Sequence, residues 1–414
     1  MTLAGVVERL LGDDVPIRFE FYDGSALGPA DATARVVVER PEALARILYA
    51  PGELGVARAY VAGDLTVEGD LREVLTLRER MPVPRFTAAD RLAILRALGR
   101  EHLRPVSPPP EEVRLRGRLH SWGREADAIS HHYDVSNEFY ELLLGPAMTY
   151  TCAVWSEPGI DLVRAQWLKH ELVCRKLDLR PGMHLLDCGS GWGTMAIHAA
   201  REHGAVVTAV TLSEQQVDWS RKAVAEAGLA DRVEVRYQDY RAVADGPYDA
   251  ISSIGMFEHV GSDLDAYPAT MFRLLRPGGR FVHHAVSRPP FRRRRLARPT
   301  FLDRYVFPDA DLHEIGTIVS AIQGAGFEAR HMESLRDHYP PTIASWLANL
   351  DAQWDEAVSL VGAGRARVWR LYLAAAELGM ADNRIQIHQV VSVKPDHGRS
   401  GFSRVPGSWE AVAG

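Results

Sequence analysis

The fold of this chain is decided by one stretch, LLDCGSGWG at residues 185–193. Its two leucines end an apolar run that is typical of a parallel strand covered on both faces. Its three glycines follow at alternate positions, and glycine lets the backbone turn tightly and lets a ligand approach the main chain. Helical spacing of apolar residues begins at Thr194. The stretch therefore predicts a buried strand, a glycine turn and a helix whose N-terminus faces a ligand.

Several classes of protein use such a turn. NAD enzymes, other nucleotide-binding enzymes and methyltransferases do so, and a purely structural strand-to-helix turn is the plain alternative. The G-x-G-x-x-G spacing of dinucleotide-binding proteins is absent here. The rest of the chain has to decide among these classes.

Length and composition indicate a globular protein with room for two or three domains, since the chain has 414 residues and is 46% hydrophobic. The net charge of −6 argues against a nucleic-acid partner. Cys152, Cys174 and Cys188 form no C-x-x-C pair, which indicates a reducing compartment without disulfides or a zinc cluster. No apolar run reaches the roughly 18 residues of a membrane span, and the acidic start of the chain does not fit a signal peptide. We expect a cytoplasmic protein.

A proline-rich segment divides the chain. Residues 104–118 contain four prolines among alternating charges and predict a linker. Residues 1–103 predict a small α+β domain with strands at 17–22 and 34–38, which has either a structural role or a role in lipid or interface contact. Residues 119–400 predict the catalytic domain. Helices of the first domain are predicted at 41–49, 54–61, 71–80 and 88–102.

A regular alternation of strands and helices begins at residue 181. Strands are predicted at 184–189, 206–212, 233–239, 248–255, 278–286, 327–335 and 386–395, and helices at 192–203, 213–227, 263–275 and 311–325. This alternation implies an α/β fold, a Rossmann-like domain whose mostly parallel sheet has seven strands and helices on both faces. Residues 340–380 predict a helical insertion rich in tryptophan, which is either a wall of the substrate site or an ordinary packing unit.

Polar and aromatic residues follow the predicted strands where each one ends, and open α/β sheets bind ligands at that edge. Asp187 lies in the first strand, just before the glycine turn. Thr211 and Gln216 follow the second and offer groups that can bond a ribose. Asp239 and Tyr240 follow the third and suit an adenine. A carboxylate can accept a hydrogen bond from the adenine amino group, and an aromatic side chain can stack on the adenine ring.

Two further candidates, Glu258 and His284, follow the next strands, although Glu258 and its neighbour His259 also fit a helix cap or a polar core position. The histidine pairs at 131–132 and 283–284 have no helical i,i+4 partner, and residues 313–314 lack the second histidine of H-E-x-x-H. We therefore expect no metal. Cys152 is a weak candidate nucleophile because no base is paired with it in the sequence.

With these residues in view, the chain resembles the cyclopropane-fatty-acid synthases, which are S-adenosylmethionine-dependent lipid methyltransferases. The resemblance covers about residues 120–395 and is weaker through the N-terminal region. The order and spacing of its motifs also match. They are His132-Tyr133-Asp134, Tyr150-Thr151-Cys152-Ala153, residues 186–193, Gln238-Asp239-Tyr240-Arg241, residues 256–261 and Arg304-Tyr305-Val306-Phe307-Pro308.

The resemblance implies two groups of site residues. The S-adenosylmethionine site would be lined by Tyr150, Thr151, Asp187, Gly189, Gly191, Trp192, Thr211, Gln216, Asp239 and Tyr240. A bicarbonate ion, the proposed general base, would be held by Glu258, His284 and Tyr339 with backbone groups of Cys152, Gly255 and Val286. The chain departs from the family pattern at two of these regions. Ser190 replaces a cysteine, which we expect to be tolerated, and Val286 replaces an isoleucine, which would loosen the base site slightly.

The resemblance also implies the reaction. A methyl group would pass from S-adenosylmethionine to the cis double bond of an unsaturated acyl chain in a phospholipid. The resulting carbocation would lose a proton to give a cyclopropane or, after a hydride shift, a methylene branch of the 10-methylene type. Our interpretation leans toward the branched product. An alkene is a weak nucleophile, so the site has to supply proximity and exclude water.

The expected partners follow from this reaction. Residues 289–298 place five arginines among apolar side chains, which suits docking on an anionic membrane surface, and a solvated loop that pairs with acids of another subunit is the alternative. We expect a homo-oligomer at the inner face of the membrane and no nucleic-acid partner. Two other functions stay open: methylation of a small amine or phenol, and lipid binding by an inactive relative.

Overall fold

The computed structural model describes residues 2–12, 14–80, 105–113, 136–260, 263–290, 300–307 and 312–402. Some parts of the sequence analysis lie outside the described residues. They are the motif at 131–134, the arginines at 292–298, the predicted helix at 88–102, and residue 104 with residues 114–118 of the predicted linker. The chain forms two compact units. The first comprises Met1–Leu115, Arg294–Pro308 and Trp354–Leu378, and the second comprises Arg116–Arg293, Asp309–Gln353 and Gly379–Gly414.

The elements are numbered here in chain order. The helices are α1 Leu3–Leu11, α2 Pro41–Tyr49, α3 Glu53–Ala62, α4 Leu71–Arg80, α5 Asn137–Leu144, α6 Leu162–Leu177, α7 Thr194–His203, α8 Glu214–Glu226, α9 Ala266–Leu274, α10 Phe301–Tyr305, α11 Ile315–Gly324, α12 Tyr339–Ala352, α13 Trp354–Val361 and α14 Ala363–Ala381. The strands are β1 Arg18–Phe21, β2 Ala26–Leu27, β3 Arg35–Val38, β4 Leu65–Glu68, β5 His184–Cys188, β6 Val206–Thr211, β7 Val233–Tyr237, β8 Tyr248–Ile254, β9 Leu275–Ser287, β10 Glu328–Ser334 and β11 Gln386–Val393.

The first unit is built on a four-stranded sheet in the order β2-β1-β3-β4. Strand β1 pairs in parallel with β3, and the outer strands β2 and β4 pair antiparallel to their neighbours. The two strands predicted in this region are confirmed as β1 and β3, and three of the predicted helices are confirmed as α2, α3 and α4. Strands β2 and β4 were not predicted. The two residues of β2 are too few to show an alternating pattern, whereas β4 does alternate apolar and polar residues and could have been recognised.

A buried ion pair joins separate segments of the first unit. The carboxylate of Glu112 accepts two hydrogen bonds from the Arg58 guanidinium, both at 2.7 Å, and one from the Tyr305 hydroxyl at 3.2 Å. The backbone N–H of Val113 donates to the carbonyl of Arg304 at 2.7 Å. Residues 105–113 therefore tie α3 to the segment that contains α10.

The two units do not follow the predicted domain boundaries everywhere. Residues 294–308 and 354–378 group with the N-terminal unit, although the sequence placed them in the catalytic domain. The predicted insertion at 340–380 is helical as expected, but α12 groups with the second unit whereas α13 and residues 363–378 of α14 group with the first. Proline and charge patterns mark a linker without indicating which core a distant helix packs against. The separate roles of the two domains stay predictions.

The second unit contains a seven-stranded sheet in the order β10-β11-β9-β8-β5-β6-β7. Strands β5 to β9 pair in parallel, whereas β11 pairs antiparallel with both β9 and β10. Every strand predicted for this domain is present with shifts of a few residues at its ends. The predicted mostly parallel, seven-stranded α/β fold is confirmed.

Helices cover both faces of this sheet because adjacent strand residues point to opposite sides. Leu185 belongs to a core cluster that contains residues of α6, α7 and α8. Leu186 belongs to a second cluster that contains residues of α9 and α11. Strand β5 lies inside the sheet with β6 on one side and β8 on the other, so the strand order reverses there. That reversal opens a crevice at the carboxyl ends of the strands.

The helices of the described ranges were also compared with what a membrane span requires. Over those ranges, none combines the length and the apolar character needed to cross a bilayer.

Candidate active site

The glycine turn after β5 is held against the next strand. The backbone N–H groups of Gly189 and Ser190 both donate to the carbonyl of Val210 at 3.0 Å. Gly189 has a φ of +77°, and a Cβ atom there would collide with the side chain of Met256. Gly191 has a φ of +54°, and a Cβ atom there would meet nothing within 4 Å. The turn is thus packed on one side and open to a ligand at Gly191.

The residues predicted after β6 and β7 lie where the sequence placed them. The Thr211 hydroxyl donates to Gln216 Oε1 at 2.7 Å, so these two buried side chains form one polar group. The Asp239 carboxylate forms an ion pair with Arg241 at 2.7 Å, and the Tyr240 ring packs edge-on against Tyr267 at 5.4 Å. The carboxylate proposed for adenine is therefore already oriented by its neighbouring arginine.

A row of aromatic rings runs from the glycine turn to α12. Trp192 packs against Tyr140 with ring centroids 4.6 Å apart, and Tyr140 lies 6.0 Å from Tyr150. The Tyr150 ring then lies 5.2 Å from Trp346, and Trp346 lies 6.1 Å from Tyr339. Three members of the row were assigned from the sequence, Trp192 and Tyr150 to the cofactor and Tyr339 to the base. Its linking member Tyr140 was not identified from the sequence.

The loops after β8 and at the end of β9 are joined by two hydrogen bonds. Glu258 lies in a short 3-10 turn, Phe257–His259, and its Oε1 atom accepts from the backbone N–H of Val286 at 2.6 Å. The backbone N–H of Gly255 donates to the carbonyl of His284 at 2.8 Å. Four of the residues expected at the base site are thus brought together, and the N–H groups of Gly255 and Val286 already have protein acceptors.

Two buried polar atoms in this group have no hydrogen-bond partner among the described residues, Glu258 Oε2 and His284 Nε2. Burial raises the pKa of Glu258 to about 7, and its hydrogen bond with the Val286 N–H opposes that rise. Burial and nearby lysines hold the pKa of His284 well below its ordinary value. The histidine is therefore neutral, and the carboxyl group can change charge near neutral pH.

Cys152 lies in the apolar wall beside this group. It is fully buried and packs in one cluster with Leu335, Val286 and Tyr339. Its thiol has one hydrogen to donate and two carbonyl acceptors within reach, Ala153 at 3.3 Å and Leu335 at 3.6 Å. Burial raises the pKa of this thiol, so the side chain is a poor nucleophile.

The structure adds a buried charge that the sequence did not reveal. Lys169 on α6 is 1% exposed and donates to the Thr151 hydroxyl at 3.1 Å. Burial lowers its pKa to about 7, although the nearby carboxyl of Asp187 opposes that fall. Asp187 accepts from the Ser252 hydroxyl at 2.7 Å, and burial raises its pKa to about 6. A lysine on a helix usually faces solvent, so no sequence pattern identified Lys169 as a buried residue.

His283 and His284 do not act as a pair. Adjacent strand residues point to opposite faces, and His283 packs among the rings of Phe257 and Tyr267 at 5.1 and 6.1 Å. Burial lowers the pKa of His283 to about 3. The adjacent histidines therefore cannot bind one metal ion together.

Another group of potential metal ligands lies between α6 and α7. Within the described ranges, one atom from each of Cys174, His198 and His203 lies within 4.8 Å of the other two. The Glu171 carboxylate lies 3.3 and 2.9 Å from the Nε2 atoms of these histidines and also pairs with Arg175. The hydrogen bonds to Glu171 therefore explain why His198 and His203 lie together, without a metal ion.

The comparison with protein families identifies the class of this protein. Residues 120–390 match the model of the mycolic acid cyclopropane synthetase family. The chain belongs to that family. It is an S-adenosylmethionine-dependent methyltransferase of this lipid-modifying family, as the sequence predicted.

Curated relatives match almost the whole chain. A protein of Mycobacterium tuberculosis named "Probable fatty acid methyltransferase" is 45% identical over 393 residues, which are 92% of each chain. The tuberculostearic acid methyltransferase of the same species is 32% identical over 93% of this chain and 90% of its own length. A solved mycolic acid cyclopropane synthase with SAH and CTAB has a TM-score of 0.61 and 28% identity over 65% of this chain and 98% of its own.

Proposed function

We propose that the protein transfers a methyl group from S-adenosylmethionine to the cis double bond of an unsaturated acyl chain in a phospholipid. The product is a methylene-branched chain of the 10-methylene type or a cyclopropane. One observation carries the proposal. The unpartnered atoms Glu258 Oε2 and His284 Nε2 belong to a buried group next to a row of aromatic rings.

The residues at the glycine turn fit the proposed cofactor. Gly191 leaves its backbone open to a ligand, and Thr211 with Gln216 presents a polar group at the end of the next strand. Asp239 and Tyr240 would contact the adenine, and Tyr150, Thr151, Asp187, Gly189 and Trp192 would complete the wall. The sulfonium of S-adenosylmethionine supplies an electrophilic methyl group, so the chain itself has to hold the alkene close and keep water away.

The buried polar group fits a bicarbonate ion. Bicarbonate both donates and accepts hydrogen bonds, and it would pair with a neutral imidazole N–H, a carboxyl and a phenol. His284, Glu258 and Tyr339 provide that set, and Cys152 closes the apolar side. When bound, the ion supplies a base that removes a proton. Glu258 is held for this contact because its other oxygen is fixed by the Val286 N–H.

The aromatic row fits the charge that methyl transfer creates on the acyl chain. Aromatic faces attract a cation, and buried rings exclude the water that would trap it. Trp346 lies between Tyr150, which belongs to the proposed cofactor wall, and Tyr339 of the proposed base site. In this proposal the rings of Tyr150 and Trp346 stabilise the cation until the proton leaves.

The names of the relatives are consistent with both a methylene-branched and a cyclopropane product, and they do not decide which one this protein makes. One relative is named for tuberculostearic acid, and a solved relative is a cyclopropane synthase crystallised with SAH and the single-chain surfactant CTAB. We favour the methylene branch. We also propose a homo-oligomer in the cytoplasm that docks on the anionic inner face of the membrane, an expectation that rests on the arginines of the sequence at 292–298.

Mass spectrometry of fatty acid methyl esters tests the proposed function. The purified full chain is incubated with dioleoyl phosphatidylglycerol vesicles and methyl-labelled S-adenosylmethionine. A labelled acyl chain with one added carbon supports the proposal, and its fragmentation separates a methylene branch from a ring. Bound cofactor without labelled lipid would contradict it and would favour a small amine or phenol acceptor, or an inactive lipid-binding relative.

A further inference from the structure

A row of polar side chains crosses three adjacent strands next to the proposed base site. Gln389 on β11 is the direct pairing partner of His284 on β9, and Glu333 on β10 is the direct partner of Gln389. Paired residues on neighbouring strands project from the same face of a sheet. Lys176, from the last turn of α6, contacts the side chains of both Gln389 and Glu333. His284, Gln389 and Lys176 are completely buried.

The chemistry of these groups fixes the direction of each hydrogen bond. The Lys176 ammonium can only donate, so it faces the Gln389 Oε1 atom. The other end of the Gln389 amide is an NH₂ group, which therefore faces His284 Nδ1 at 2.9 Å. Because an NH₂ group donates, His284 Nδ1 has to accept. The proton of the neutral imidazole consequently lies on Nε2.

We propose that Lys176 and Gln389 are positioning residues that set the tautomer of His284, so that its Nε2–H donates a hydrogen bond to the base. The identity of that base rests on the proposed function, whereas the tautomer does not. The Nε2 atom has no other hydrogen-bond partner within the described part of the chain, so its N–H is available for this contact. Neither Lys176 nor Gln389 touches the reacting atoms.

The electrostatic surroundings favour the neutral imidazole that this arrangement needs. His284 is fully buried, and the groups that act on it are Lys169 and Lys176 from α6, His283 from its own strand and His388 from β11. All four disfavour a positive charge on the imidazole ring. Glu333 is partly exposed and balances the charge of Lys176, which keeps that lysine an ammonium donor although burial lowers its pKa.

Gln389→Glu separates positioning from mere packing. The variant keeps the side-chain size and keeps an oxygen toward Lys176, but it replaces the NH₂ donor with a second oxygen. His284 Nδ1 would then have to donate, which moves the imidazole proton to Nδ1 or charges the ring. We expect kcat for lipid methylation to fall by at least about tenfold with a shifted pH profile, and S-adenosylmethionine affinity to stay unchanged. Gln386→Glu on the same strand is the matched control.

Nitrogen NMR of histidine-labelled protein reads the tautomer without any substrate. The ring nitrogen that lacks a proton resonates far downfield, and loss of one set of signals in His284→Asn assigns them. We expect a bare Nδ1 in the wild type and a protonated Nδ1 in Gln389→Glu. A protonated Nδ1 in the wild type, or an unchanged kcat and pH profile in Gln389→Glu, would overturn the proposal. If the wild type methylates no lipid, the proposed function fails and the NMR result alone decides the tautomer.

Discussion

Glu258 Oε1 accepts a hydrogen bond from the backbone N–H of Val286 at 2.6 Å. This bond joins the turn after β8 to the end of β9 and uses one oxygen of the carboxyl group for support. The second oxygen, Oε2, is buried and has no partner among the described residues. Because one oxygen has a structural role and the other is available to a ligand, substitutions at Glu258 test the proposed base site most directly.

Glu258→Gln is expected to lower kcat for lipid methylation by about 100-fold or more. The amide keeps an oxygen for the Val286 N–H, so the local geometry is retained while the carboxyl chemistry is lost. The affinity for S-adenosylmethionine should stay within about twofold because the loss is confined to the chemical step. Steady-state kinetics and calorimetric titration of the cofactor measure the two quantities. Glu226→Gln, at an exposed position on α8, is the control, and an undiminished kcat in Glu258→Gln would remove this residue from the base site.

The same variant should change how stability depends on pH. The Glu258 carboxyl titrates near 4.5 when unfolded, and burial raises its pKa to about 7 in the folded protein. Between those pH values the unfolded chain has released the proton and the folded chain has not, so the wild type loses stability as pH rises through this window. Glutamine has no such proton. The Tm of Glu258→Gln relative to wild type should therefore rise from pH 4.5 to 7 and level off above it. A Tm difference that does not vary with pH would show that the carboxyl is not perturbed.

Alanine substitutions at three glycines, two of them in the turn, should distinguish an effect on stability from an effect on cofactor affinity. Gly182, Gly189 and Gly191 all have positive φ, which costs an alanine about 1 kcal/mol. Gly189→Ala should lose more than that because its Cβ atom collides with Met256. Gly191→Ala should lose S-adenosylmethionine affinity beyond its stability cost, since its Cβ atom projects into the open side of the turn. Gly182→Ala reports the backbone cost alone, and equal cofactor affinity in the Gly182 and Gly191 variants would contradict the proposed cofactor position.

The ion pair of the first unit should be a strong determinant of its stability. Glu112→Ala leaves the Arg58 guanidinium and the Tyr305 hydroxyl without their shared acceptor in a partly buried place. We expect a loss of about 3 kcal/mol, seen by calorimetry as a lower unfolding temperature. Glu68→Ala removes a carboxylate that is largely exposed and should change little. Equal effects of the two substitutions would mean that Glu112 does not tie residues 105–113 to the rest of this unit.

The sheet of the second unit could be predicted because each strand and helix carries its own periodic pattern. The stretch from Leu185 onward predicted β5, the turn and α7, and the alternation after it predicted the remaining strands. The same reasoning placed Thr211, Asp239, Glu258 and His284 at one edge, since parallel strands end on the same side.

Contacts between residues distant in sequence could not be predicted in this way. Lys169, Lys176 and Gln389 each look ordinary in their own element, and their meaning arises only from buried partners on other elements. The grouping of residues 354–378 with the first unit is a similar case, because helix periodicity does not identify the core that a helix packs on.

The most direct test of the central claim follows the hydrogens of the transferred methyl group. The enzyme is supplied with S-adenosylmethionine carrying a CD₃ group and with oleoyl phospholipid, and the added carbon is analysed by mass spectrometry. Closure of a ring or formation of a methylene branch removes one hydrogen from that methyl group, so the account predicts a product that retains two deuterium atoms. A product that retains all three would show that no base removes a proton from the methyl group, and would contradict the proposed roles of Glu258, His284 and Tyr339.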